Sequence, residues 1–235
     1  MFNGVLNLDK DPGLSSNAVL TRIKYLLPRH TKVGHAGTLD PFATGVLLVL
    51  IGKATKQFAH FAGTAKQYVA TIKLGATTAT DDLDSPAVEV AGAAAPARDA
   101  IVSALEMQTG NILQRPSTFS ALKLGGMRAC DRIRLGETID LPSRPVHIHM
   151  IELLDYAWPL LTICVDCGRG TYIRAIARDV GTALNVGGYL TALRRTKVGE
   201  FRIADSVRLT DLSSHNIGSR LVDIAVPAQP VITHQ

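Results

Sequence analysis

The longest purely apolar run of the chain, VLLVLI at 46–51, follows directly on GHAGTLDPFATG at 34–45, a segment with three glycines, a proline and two threonines. Six apolar residues fall far short of the roughly 20 that a membrane helix needs. The glycines and the proline rule out a regular helix before the run. The two segments together read as a shaped loop that delivers the chain into a buried strand. With 46% hydrophobic residues over 235 positions, the chain has the material for one sizeable globular domain, or one domain with a short appendage. A disordered chain would be poorer in apolar residues.

Asp9, Lys10 and Asp11 stand where a secretory leader would carry an apolar core, which points to an unexported protein without membrane attachment. Three cysteines, Cys130, Cys164 and Cys167, cannot all pair with one another, so the expected compartment is the reducing cytoplasm. The net charge is +5, and part of it is concentrated: Arg115, Lys123, Arg128, Arg132 and Arg134 face only Asp131 across 115–134. Such a stretch suits a polyphosphate partner, though it also serves as a solvated face.

Along the chain, Ser15-Ser16-Asn17 offers a helix cap, and Val19, Leu20, Ile23, Leu26 and Leu27 form one apolar face ended by Pro28. From Gln67 the pattern changes to alternation, which puts Tyr68, Ala70, Ile72 and Leu74 on one face of a strand. Residues 77–96, acidic and then alanine-rich, read as a mobile excursion. A helix is predicted over 98–107, a long basic loop with a helical turn or two over 115–145, and a strand over 160–167. Ile173, Ile176, Ala177, Val180 and Leu184 supply a helical stripe after Gly168-Arg169-Gly170. Without regular βα alternation, this mixture predicts an α+β fold.

Several motifs carry no chemistry on closer reading. Cys164 and Cys167 have metal-ligand spacing but lie on opposite faces of a strand with no second pair nearby. Asp82-Leu83-Asp84 lacks the glycine and terminal glutamate of a calcium loop and reads as a polar turn. The glycine-rich loop lacks the GK[ST] ending of a phosphate loop. Asp40 remains, an isolated carboxylate in a loop stiffened by Pro41, together with Tyr68, an aromatic able to lie against a base, and Arg174, able to pair with a carboxylate. Taken singly, each of the three also fits a structural role.

GHAGTLDPFATG with GKATK at 52–56 resembles the catalytic motif of the TruB family of transfer-RNA pseudouridine synthases. The likeness extends to the opening through Lys10 with Pro12-Gly13 and Ser15-Ser16-Asn17, to 66–68, to Pro116-Ser117 with 120–123, to GTYIR at 170–174 and to Leu193-Arg194-Arg195. It implies a mainly antiparallel sheet flanked by helices, with a catalytic domain over 1–203. Residues 115–145 would be a basic RNA-contacting insertion, and 204–235 a short tail in place of a full PUA-type RNA-binding domain. It further implies Asp40 as nucleophile, Tyr68 against the target base and Arg174 as the ion partner of Asp40. His35 would fill space vacated by the departing nucleotide, and Tyr172 and Leu193 would line the uridine pocket. Lys10, Lys123 and Arg194 would contact RNA.

The implied reaction converts uridine 55 of the transfer-RNA T-loop to pseudouridine, by a cytoplasmic monomer without metal or cofactor. Two alternatives are a non-catalytic RNA-binding or transfer-RNA-folding module, and a synthase acting on another RNA. Thr78-Ala79-Thr80 departs from the family's usual Thr-Asp-Thr, and Cys130 stands where an aromatic is usual.

Overall fold

The computed structural model describes residues 2–119, 123–124, 126–137 and 139–224, which form two compact units. The first comprises residues up to Thr64 and from Lys197 onward; the second runs from Ala65 to Thr196.

The first unit opens with strand β1 (Gly4–Lys10) and helix α1 (Ser16–Tyr25). Ser15 caps α1 through its hydroxyl, which accepts from the Ala18 amide at 3.1 Å, an arrangement worth about 1 kcal/mol. The helix stops before Pro28 and buries Val19, Leu20 and Ile23 as the apolar spacing requires. Part of the predicted loop is regular: Val33–Ala36 forms strand β2, and β3 (Thr44–Ile51) begins two residues before the apolar run. Gly45 already pairs in the ladder, opposite Lys10 of β1. β3 pairs antiparallel with β1 and, over Leu48–Ile51, with β2 as well, so the run is flanked on both edges. After helix α2 (Phe58–Gly63) the chain enters the second unit.

There β4 (Lys66–Leu74) alternates as predicted, with Tyr68, Ala70, Ile72 and Leu74 buried. The stretch read as a mobile excursion is an ordered knot. β5 (Ala76–Thr77) pairs with β6 (Val88–Glu89), and Thr80, Asp81 and Asp82 between them are buried. Helix α3 (Arg98–Glu106) and β7 (Gly110–Gln114) follow, then a hairpin of β8 (Lys123–Leu124) and β9 (Met127–Arg128) leading into helix α4 (Ala129–Arg134). β10 (Arg144–Ala157) and β11 (Leu160–Cys167) form a long hairpin, helix α5 (Ile173–Ala183) buries Ile173, Ile176, Ala177 and Val180 of its predicted stripe while Leu184 caps its end half-buried, and β12 (Gly188–Val198) returns. The strand order in this unit is β12-β4-β11-β10-β7.

The chain re-enters the first unit at Lys197, where the end of β12 pairs with β13 (Phe201–Arg202). β14 (Val207–Arg208) then runs parallel to β1, and Val5 bridges to Val222. Val5, Ala36, Val46, Leu48, Leu50, Ala54, Phe61 and Val198 make one apolar core. The fold is therefore α+β with a predominantly antiparallel sheet. Among the described residues no helix is long and apolar enough to cross a membrane.

Candidate active site

In the first unit, three independent tethers fix the loop bearing Asp40. The Ser16 hydroxyl accepts from the Leu39 amide at 2.9 Å and lies 3.0 Å from the Leu39 carbonyl. The Gly13 amide donates to the Pro41 carbonyl at 2.8 Å. The Lys10 ammonium, 1% exposed, donates to the carbonyls of Asp11 (2.9 Å), Pro41 (3.0 Å) and Ala43 (2.7 Å). Leu39 is buried, whereas Asp40 beside it stays half-exposed, and the Ala43 amide closes the turn on the Asp40 carbonyl at 3.1 Å. Gly37 and Gly45 bound the turn with φ of 88° and 100°, backbone that other residues seldom adopt. The loop thus presents a carboxylate on a backbone with little freedom to move. His35, half-buried on β2, precedes it.

Within the protein the Lys10 ammonium thus holds the carbonyls that shape the Asp40 turn.

The second unit holds Tyr68, Tyr172, Arg174, Leu193 and Arg194. Tyr68, on β4 opposite Val165 of β11, is 8% exposed. Leu193 of β12 is equally buried, and Arg194, on the alternate face, is half-exposed. Tyr172 caps α5: its amide donates to the Gln114 side-chain carbonyl at 2.8 Å, and its own carbonyl accepts from the Gln114 amide nitrogen at 3.1 Å. The Arg144 guanidinium lies 5.0 Å from the centre of the Tyr172 ring, within cation–π range. The Lys123 side chain, with those of Arg128, Cys130 and Arg134, lies outside the described residues.

Arg174 is 5% exposed and donates to the Asp82 carboxylate (3.1 Å) and the Thr80 carbonyl (3.1 Å) through one nitrogen, and to the Phe119 carbonyl (2.8 Å) through the other. Asp82 is 1% exposed, and its second oxygen accepts from the Asp84 amide at 2.9 Å. Asp82 was read from sequence as a turn former. It does shape the turn, but it also holds a buried arginine, a burial feasible only for a paired charge. The neighbouring Asp81 pairs with Arg178 at 3.2 Å. Burial pushes the Asp81 carboxyl upward, opposed by the Arg178 and Arg174 charges.

Sequence reasoning missed Asp81, Asp82, Gln114 and Arg178. The available signal was partial: Arg174 and Arg178 stand four apart on one helix face, and Asp81 and Asp82 are consecutive, but nothing in the sequence joins the two pairs. It also missed a basic depression of about 650 Å³ in the first unit, rimmed by Arg29, Lys32, Lys53 and Lys56. Cys164 and Cys167 fall on opposite faces of β11, and no group of side chains suited to a metal occurs among the described residues.

The fold has relatives of known structure. A chain in the crystal structure of a Cbf5-Nop10-Gar1 complex superposes with a TM-score of 0.69 at 32% identity, over 89% of this chain and 53% of that one. A chain of an H/ACA RNP bound to a substrate RNA containing 2′-deoxyuridine gives 0.66 at 30% identity, again spanning about half of that chain, 52%. Residues 24–173 match the TruB family pseudouridylate synthase N-terminal domain, and residues 174–223 the tRNA pseudouridylate synthase B C-terminal domain. The tRNA pseudouridine synthase B of Corynebacterium efficiens is 44% identical over 91% of this chain and 73% of its own length; that of an Arthrobacter species is 45% identical over 91% and 71%. The chain belongs to the TruB family of pseudouridylate synthases. It is an isomerase that converts uridine to pseudouridine.

Proposed function

We propose that the enzyme acts in the cytoplasm, as a monomer, on uridine 55 in the T-loop of transfer RNA. The observation that carries this reading is the Asp40 turn, a carboxylate held half-exposed on a backbone fixed by Lys10, Ser16 and Gly13. The reaction breaks the N1–C1′ bond, turns the uracil and makes a C5–C1′ bond; the hydrogen at C5 is removed and N1 gains one, with no net change in oxidation state. Asp40 can hold the reaction path by bonding covalently to the ribose or the base. Tyr68 supplies a face for the flipped base, and Arg174, fixed by Asp82, is the cation of the site. Tyr172 and Leu193 line the uridine pocket, and His35 fills the space that the nucleotide leaves in the loop stack.

Lys123, Arg194 and the basic insertion of 115–145 contact phosphates, joined by the rim of Arg29, Lys32, Lys53 and Lys56. The curated relatives that share the name tRNA pseudouridine synthase B support the choice of transfer RNA.

Asp40→Asn tests the reading. Turnover should vanish while transfer-RNA binding stays within about tenfold, roughly 1.4 kcal/mol. An isolated T-arm stem-loop should react with a modest deficit, mostly in KM, while an unstructured oligonucleotide of the same sequence should not. An inert stem-loop beside reactive whole transfer RNA would overturn the T-arm assignment, and an active Asp40→Asn variant the nucleophile assignment.

A further inference from the structure

Arg178 lies one helical turn beyond Arg174 on α5, and the two make parallel sets of contacts. Each pairs with one of two consecutive aspartates, Arg174 with Asp82 and Arg178 with Asp81, both at 3.1–3.2 Å. Each also donates through its second terminal nitrogen to a main-chain carbonyl at 2.8 Å: Arg174 to Phe119, and Arg178 to Arg115. Those carbonyls bracket the entry to the basic segment. Just before them, Gln114 is locked to Tyr172 at the start of the same helix.

The geometry of Asp81 serves this arrangement. Its φ of 59° is left-handed, a conformation that asparagine and aspartate tolerate best, and it turns adjacent carboxylates toward different arginines. The Asp81 carbonyl accepts from the Leu190 amide at 3.0 Å, which fastens the same turn to β12, the strand of Leu193. Arg178 also bonds Asp179 at 2.8 Å, so its guanidinium is oriented from two sides before it reaches Arg115. Acid pairing alone would not need a fork. The planar guanidinium spans a carboxylate and a carbonyl together, which a lysine ammonium on a flexible stem does not reproduce.

We propose that Arg178 and Asp81 are positioning residues that hold the entry of the basic segment in register with Tyr172 and Arg174, and thereby set affinity for the RNA. The proposal rests on the reading of that segment as an RNA contact. Arg178→Lys keeps the charge opposite Asp81 and loses the fork; Asp81→Asn keeps the turn and loses the charge that anchors Arg178.

Two measurements test it. In the free protein, hydrogen exchange of the amides at 114–119 should quicken by about tenfold in either variant, with the melting temperature nearly unchanged. On transfer RNA, KM should rise about fivefold or more while kcat stays within about twofold. Unchanged exchange would overturn the clamp. Faster exchange with an unchanged KM would overturn its role in RNA binding, and Arg128→Glu on the segment itself then separates the causes. If that variant raises KM, the clamp proposal alone fails; if it does not, the segment is not an RNA contact and both readings fall.

Discussion

Replacing Lys10 by methionine keeps the apolar stem and removes the ammonium, separating two roles that a lysine at this position could have. The ammonium makes three hydrogen bonds to carbonyls, and such bonds to a charged donor contribute about 1.5–3 kcal/mol each. Only the bond to Ala43 is fully buried; the two partly buried carbonyls can take water when the ammonium goes. The loss should therefore lie nearer one bond than three, about 2–4 kcal/mol, or a fall in Tm of about 5–15 °C for a chain of this size.

Pro41 and Ala43 flank Asp40, so releasing their carbonyls lets the carboxylate drift. A displacement on the order of 1 Å can cost about 100-fold in rate. Lys10 is 1% exposed, so transfer-RNA affinity should change less than about threefold. Urea denaturation, single-turnover pseudouridine formation and filter binding report the three quantities. A variant with normal kcat and much weaker RNA binding would refute the argument, because Lys10 would then act on phosphate.

Asp82→Ala strands the buried Arg174 guanidinium without that carboxylate and should cost about 3–5 kcal/mol with loss of turnover, whereas Asp82→Asn, which retains an acceptor, should fall between it and wild type in urea denaturation. Tyr68→Phe should retain single-turnover activity if the ring serves as a platform, while Tyr68→Ala loses a stacking contact of about 1–3 kcal/mol; equal damage in both would assign the hydroxyl to proton transfer. Burial, with Arg195 beside it, lowers the Lys66 ammonium to about 8, and burial raises the Cys167 thiol opposite it to about 11. Above pH 8 the unfolded chain keeps the Lys66 proton that the folded one releases, so stability should rise from pH 8 to 9; above 9 the thiol, which ionises first in the unfolded chain, opposes the rise. Denaturation series should show no rise in Lys66→Met and a rise continuing past pH 9 in Cys167→Ala.

Local patterns were legible wherever one face meets a core. The alternation of 68, 70, 72 and 74, the stripe along α5 and the run at 46–51 each name their element because burial imposes a period. β10 buries only Val146 and Ile148 of its 14 residues, so it shows only a short alternation and no strand is legible there. The acidic stretch around Asp81 and Asp82 reads as a mobile polar excursion because the arginines that bury it stand more than 90 residues away. For the same reason the part Lys10 plays in the turn is illegible: nothing within its own strand reveals the carbonyls of 41 and 43. Asp40, in contrast, stood out through its own loop, whose glycines and proline record a backbone requirement.

The first unit closes only when both ends of the chain are present, since Val5 and Val198 share one core and β14 lies along β1. During synthesis at 5–20 residues per second, the residues up to Thr64 must wait about 7–25 s while about 130 more are made. Over that interval β1 and β3 can already pair, but part of their apolar face has no cover. The contiguous second unit emerges in the meantime and can fold as a piece. Nascent chains stalled before residue 197 should therefore bind chaperones through the early strands, and release should follow once residues up to about 224 clear the ribosome.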